Sequence, residues 1–147
     1  MAPLICLVVA FLLFRILGLE WRYFADWQLS LRAALGAMFL LTASAHWGKR
    51  RADLVRMVPE SMGNAGVWVT LTGIAEIAIA AGLQIRGLAP WIAAIAVAML
   101  CGMFPANLKA AREHLTILQR PAMSAGPRLL IQLVFIAALI GSVWPGR

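Results

Sequence analysis

Along the chain, apolar residues run in long blocks separated by short polar connections. Five blocks stand out: Pro3–Leu19, Leu31–Trp47, Ala65–Gln84, Leu88–Asn107 and Arg128–Trp144. None shows the alternation of a half-buried strand, and each of the last four has about the length a tilted helix needs to cross a hydrocarbon core of roughly 30 Å. Hydrocarbon offers the backbone no outside partner, so such runs are read as helices. The connection "QIRGLAP", Gln84 to Pro90, is short enough to fold the third and fourth blocks into an antiparallel hairpin. The first block is shorter and carries Arg15. A spanning helix is its leading reading, and an interfacial or re-entrant helix the next. A removed signal peptide fits worst, since the block lacks a basic start and "ILGLEW" offers no small-residue cleavage site.

Composition strengthens the membrane reading. The 147 residues are 63% hydrophobic and 13% charged, and the mean hydropathy is +0.86, far from soluble domains. One membrane domain over residues 1–147 uses the whole sequence. The formal charge of +7 does not argue for nucleic acid, because the cations gather in short loops without interleaved aromatics. Anionic lipid headgroups are the better partner. Lys49, Arg50, Arg51 and Arg56 fall in one loop and Lys109, Arg112, Arg120 and Arg128 in another, against Arg22, Arg32, Arg86 and Arg147 on the opposite side. This bias sets the first two loops in the cytoplasm of a plasma (inner) membrane. With five spans, the N-terminus lies inside and the C-terminus outside. Both basic loops carry apolar residues at helical spacing, Leu54 with Val58 and Ala111 with Leu115 and Leu118. Short surface helices and solvated loops are equally good readings of them.

Against this background the buried polar residues carry the information. Glu76 lies near the middle of "VTLTGIAEIAIAAGL", where a charge costs about 2.5–3.5 kcal/mol on insertion scales. It shares a small, slightly polar face with Gly66, Thr70, Gly73 and Ala80, which should pack against other helices, whereas Trp68, Leu71, Ile79 and Leu83 read as lipid-facing. Arg32 is the candidate cation for Glu76, snorkelling inward from the opposite rim. Thr42 and His46 share a face of one block, Arg128 and Gln132 a face of another, and Pro105 disturbs the turn that Asn107 closes. Cys6 and Cys101 form no C-x-x-C pair and read as buried and inert, and His46 and His114 have no metal-ligand spacing, so no metal site is expected.

Taken together, Arg32, His46, "VP" at Val58–Pro59, "GIAE" at Gly73–Glu76, "FPAN" at Phe104–Asn107 and Gln132 resemble the DoxX-like family of small integral membrane proteins. The resemblance covers residues 31–144 and implies a four-helix membrane bundle, to which residues 3–19 add an extra N-terminal hydrophobic helix. It also implies an association with quinone-linked redox systems. The residues it marks are Arg32, His46, Pro59, Glu76, Pro105, Asn107 and Gln132. On this reading the bundle binds a quinone or similar lipophile near Glu76. Glu76 and His46 are the candidate catalytic groups, and Arg32, Thr72, Pro105, Asn107 and Gln132 the candidate ligand-binding ones. No flavin, haem or iron–sulfur motif occurs, so electrons would come from an oxidoreductase partner subunit. Two alternatives stand beside it. One is a non-catalytic scaffold or assembly subunit, alone or as a homo-oligomer, whose buried polar residues specify packing. The other is a small transporter using Glu76, which the lack of internal repeats disfavours.

Overall fold

The computed structural model describes residues 1–117, 120–121 and 123–145. Leu118 and Arg147, both used in the sequence reading, lie outside the described residues. The chain is all-helical apart from one two-residue ladder. In order it forms α1 (Ala2–Leu17), α2 (Arg22–Ala25), α3 (Trp27–Ser44), α4 (Arg51–Met57), a 3-10 turn (Glu60–Met62), α5 (Ala65–Gly82), α6 (Ala89–Arg112), β1 (Thr116–Ile117), β2 (Arg120–Pro121) and α7 (Ala125–Val143).

Three helices, α5, α6 and α7, are long and apolar enough to cross a membrane. This is fewer than the blocks predicted. α1 is apolar but has only 16 residues. α3 matches α5 in length, at 18 residues, but Gln28, Ser30, Arg32, Thr42 and Ser44 dilute its apolarity. The reason lies in its position. α3 touches α1, α2, α5 and α7, and its polar side chains are spent holding neighbouring backbone. Gln28 Nε2 donates to the carbonyls of Gly141 (3.0 Å) and Trp144 (2.6 Å). Ser30 Oγ donates to Phe24 O at 2.9 Å, and Arg32 Nε to Ser142 O at 2.8 Å. An apolar helix in that place would remove these bonds, although Phe24 O also accepts from Arg15 Nη1 at 3.1 Å and Gly141 O from Trp144 N at 3.4 Å.

Packing places α3 against α5 and α7, α6 against α5 and α7, and α1 along the outer side of α3. Ala34, Leu35, Met38 and Phe39 of α3 meet Ile79, Ala80 and Leu83 of α5, Ala93 and Ala96 of α6, and Phe135 and Leu139 of α7. Ile79 and Leu83 are thus core residues, 3% and 0% exposed, and not lipid-facing as expected. They stand three and seven residues after Glu76, on the same helical stripe. Trp68 and Leu71 do face outward. α6 has only 11% of its apolar window buried, against 33% for α5, so most of its surface needs an apolar environment outside the chain.

Caps fix the helix starts. The Asp26 carboxylate accepts from Gln28 N at the start of α3, and Asn64 Oδ1 accepts from Val67 N at the start of α5. α6 does not close at Asn107. It carries Pro105 in its interior and continues to Arg112, and Pro105 leaves the Cys101 carbonyl without its helical donor. Of the two surface helices considered, α4 forms, while the second basic loop reverses through the β1–β2 ladder. Cys101 is exposed and Cys6 half-buried, so neither is the buried thiol expected.

α3 and α5 approach closely at Gly36, where a Cβ would lie 3.3 Å from the Ala80 carbonyl and 2.9 Å from Gln84 Nε2 just past α5. Gly36→Leu is expected to lower stability in detergent by about 1–3 kcal/mol. Gly87→Ala, with nothing within 4 Å of the added carbon, should stay within about 0.5 kcal/mol of wild type. Thermal unfolding of the two variants checks the crossing.

Candidate functional site

α3 ends at Ser44, and its last turn tightens as Ala45 and His46 donate to the carbonyls of Thr42 and Ala43, both at 3.0 Å. This turn swings the His46 ring onto α5, and Gly73 makes the seat. A Cβ at Gly73 would fall 2.8 Å from His46 Cβ and Cγ and from Trp47 Cη2. Any larger residue would push the imidazole away. Three residues after the seat, Glu76 Oε2 stands 3.4 Å from His46 Nε2. One turn before the seat, the Val69 carbonyl lies 2.6 Å from His46 Nδ1.

This geometry fixes the protons. A carbonyl only accepts, so Nδ1 carries hydrogen and donates to Val69. Nε2 then faces a carboxyl oxygen, and two bare acceptors would repel. A proton on either Nε2 or Glu76 would relieve that repulsion and make the pair net neutral. Burial makes that neutrality matter, since His46 is 4% and Glu76 5% exposed, and an unpaired charge there would be costly. The contact is at ion-pair distance without hydrogen-bond alignment, and Glu76 Oε2 has no hydrogen-bond partner among the described residues.

Arg51 clamps the same junction. Its guanidinium donates to His46 O (2.8 Å), Gly66 O (3.1 Å) and Thr70 Oγ1 (2.9 Å), tying the end of α3 to the first turn of α5. The Thr72 hydroxyl donates to Trp68 O at 2.8 Å and lies 3.4 Å from His46 Nδ1.

Beside the pair opens a cavity of about 430 Å³ between α4, the 3-10 turn, α5 and α6. Its apolar wall includes Leu54, Met57, Met62, Met99 and Met103, and its polar side chains are His46, Thr72 and Asn107, with Trp68 at the edge. Trp68 Nε1 is committed to Met62 O at 2.7 Å. Gly63, at φ +74°, turns the chain after Met62 and leads into α5. Arg128 Nη1 donates to Asn107 Oδ1 at 2.9 Å, which leaves the amide NH2 as the remaining hydrogen-bonding end of Asn107.

The predicted site residues therefore divide. His46, Thr72 and Asn107 come together at the cavity, and Glu76 stands behind His46 without lining it. Arg32 is not the partner of Glu76. Its Nε is bound to Ser142 O at the opposite end of α3, where Gln84 in turn donates to the Arg32 carbonyl at 3.1 Å. Gln132 donates to Leu100 O at 3.2 Å, Thr42 turns back to Phe39 O at 3.0 Å, and Pro105 is not among the lining residues. Sequence reasoning missed Arg51, the Val69 carbonyl and the methionine wall. The spacing of Met99 and Met103, one turn apart on α6, was the available signal for the last.

Double-mutant cycles test the assignment of the pair. Glu76→Gln and His46→Ala are expected to couple by about 1–3 kcal/mol in unfolding free energy. Glu76→Gln and Arg32→Gln should add to within about 0.5 kcal/mol. Strong coupling to Arg32 with none to His46 would sink the assignment.

No curated protein and no solved structure matches the chain. Residues 35–143 match the family described as a domain of unknown function, DUF8561. The match begins inside α3 and runs to the end of α7, so it takes in His46, Gly73, Glu76 and Asn107 together. Since it spans well over half of the sequence, the chain belongs to the DUF8561 family.

Proposed function

We propose that the protein is an integral membrane four-helix bundle of DoxX-like type, formed by α3, α5, α6 and α7 with α1 as an added helix, which binds a quinone-like lipophile in the cavity beside His46. The basic loops face the cytoplasm. The observation that carries this reading is the cavity itself. Its volume of about 430 Å³ falls within the roughly 300–1,000 Å³ of small-molecule sites. Its wall is almost wholly apolar, and its few polar groups are of the kind a quinone's carbonyls require.

The Asn107 NH2 makes no hydrogen bond among the described residues and is the donor available there. Thr72 and His46 border the same space, and Glu76 acts through His46 by fixing its proton arrangement, as a positioning residue. A bound quinone supplies an electron-accepting ring, and a redox partner subunit supplies the electrons. The chain's own contribution is the apolar slot, the donor at Asn107 and the oriented imidazole. The four methionines of the wall, Met57, Met62, Met99 and Met103, are unbranched and polarizable and suit a flat ring through sulfur–aromatic contacts.

One observation favours the scaffold reading instead: both His46 nitrogens face partners within the chain, and Arg32 and Gln132 are held by backbone carbonyls. The two readings part at Gly102. It lines the cavity, and an added Cβ meets nothing within 4 Å, so Gly102→Phe should fill the space without disturbing the helices.

A short-chain ubiquinone analogue is expected to raise the melting temperature of detergent-solubilised wild type by several degrees, with tenfold or greater loss of affinity in Gly102→Phe, on the order of 1.4 kcal/mol. Equal binding by both proteins, or none by wild type, overturns the ligand site and leaves the scaffold.

A further inference from the structure

The end of the molecule that carries the basic loops spends four of its cations on the chain's own oxygens. Arg51 is bound to three acceptors at the α3–α5 junction, and Arg56 to Asp53 and Thr116 O. Lys109 donates to Val58 O at 3.2 Å, and Arg128 to Met123 O and Asn107. Lys49 and Arg50 differ. Both are exposed, and among the described residues neither side chain makes a hydrogen bond or ion pair. They are consecutive, and both line one groove of about 250 Å³ between the start of α1 and the end of α3.

The groove changes character along its length. One end is Lys49, Arg50 and Gly48, and the other runs from Ala45, just past α3, down Ser44 and Leu41 of α3 beside Ala2 of α1, with the Ser44 hydroxyl turned back to Leu41 O at 2.7 Å. Leu41 is 42% exposed. Two free cations above an exposed apolar track match a molecule with an anionic head and a hydrocarbon tail. A soluble anion would have no use for the track, and a zwitterionic lipid none for both cations.

The geometry points to a binding site for an anionic glycerophospholipid, its phosphate held by Lys49 and Arg50 and an acyl chain lying along Ala45 and Leu41 between α1 and α3. This rests on the membrane placement proposed above, and it is independent of any ligand in the His46 cavity. The site also gives the α1–α3 contact a role, because the groove exists only where α1 lies along α3.

The test uses the full chain in detergent with added phosphatidylglycerol, phosphatidylcholine of the same acyl chains, or glycerol phosphate, read by native mass spectrometry of bound lipid. Wild type should retain phosphatidylglycerol in preference to phosphatidylcholine and should not retain glycerol phosphate. Each juxtamembrane cation contributes about fivefold, so Lys49→Gln/Arg50→Gln should bind phosphatidylglycerol on the order of 30-fold more weakly. Ala45→Phe, which obstructs the track with both cations intact, should also weaken it.

Arg112→Gln removes a cation outside the groove whose side chain is likewise unpaired among the described residues, and it should bind as wild type does. A loss in Arg112→Gln as large as in the double variant, no loss in the double variant, or equal retention of glycerol phosphate overturns the site. Flotation with vesicles of phosphatidylcholine alone separates the two failures. A chain that floats but shows no anionic preference overturns this site only, and one that does not float overturns the membrane placement with it.

Discussion

Everything near the centre of this molecule follows from one requirement: a carboxyl buried among apolar helices must meet a proton or a positive charge. Glu76 meets His46, and the rest of the junction is arranged to make that possible. Gly73 lets the imidazole lie flat against α5, the Val69 carbonyl takes its Nδ1 hydrogen, and Arg51 holds the end of α3 in place. Each of these is a short-range contact, yet together they fix the angle and register at which α3 meets α5. The glycine is the least replaceable of them, because the atoms a Cβ would strike include the root of the histidine side chain and not its flexible end.

The cavity is a by-product of the same junction. α3 stops at Ser44, so the space above the next turn of α5 is not filled by a continuing helix but is roofed by α4 and the 3-10 turn. Methionines from that roof and from α6 line the space without closing it, and Gly102 contributes no side chain at all. The cavity therefore lies where a helix ends beside a buried polar pair. Ligand sites between helices characteristically arise in such places.

How much of this was legible in the sequence depends on which dimension is asked about. The long apolar blocks gave the helices, and the short "QIRGLAP" link gave the α5–α6 turn. Depth along the apolar blocks, read as distance from the basic loops, sets His46, Thr72 and Asn107 toward one end, where they do share a cavity. Depth says nothing about direction around a helix axis, and that is where the reading failed. Arg32 and Glu76 lie on neighbouring antiparallel helices, but Arg32 had a nearer acceptor in the Ser142 carbonyl. Leu83 looked lipid-facing although it stands seven residues from Glu76 and so on its stripe. The backbone acceptors Val69 O, Ser142 O and Leu100 O, which decide the partners of His46, Arg32 and Gln132, leave no mark in the residue types at all.

Because His46 is both wall of the cavity and partner of Glu76, the cavity and the α3–α5 junction are energetically linked. A ligand that leaves the ring in place can use only Asn107, Thr72 and the apolar wall, and the junction does not feel it. A ligand that takes Nε2 for itself must displace Glu76, which would then be buried without a partner, a loss of about 3–5 kcal/mol if the carboxyl is charged. Such a ligand gains only if it brings a donor for Oε2 as well, the atom that already lacks a hydrogen bond. A hydroxyl in place of a carbonyl at that edge of the ring meets this condition, since it can donate to the carboxyl where a carbonyl cannot. On the proposed reading, the hydrogen-bond inventory of the junction would distinguish a ligand edge that carries a hydroxyl from one that carries a carbonyl. By linkage, a ligand that leaves the His46–Glu76 contact in place leaves the α3–α5 junction unchanged, and one that inserts between the two side chains loosens it.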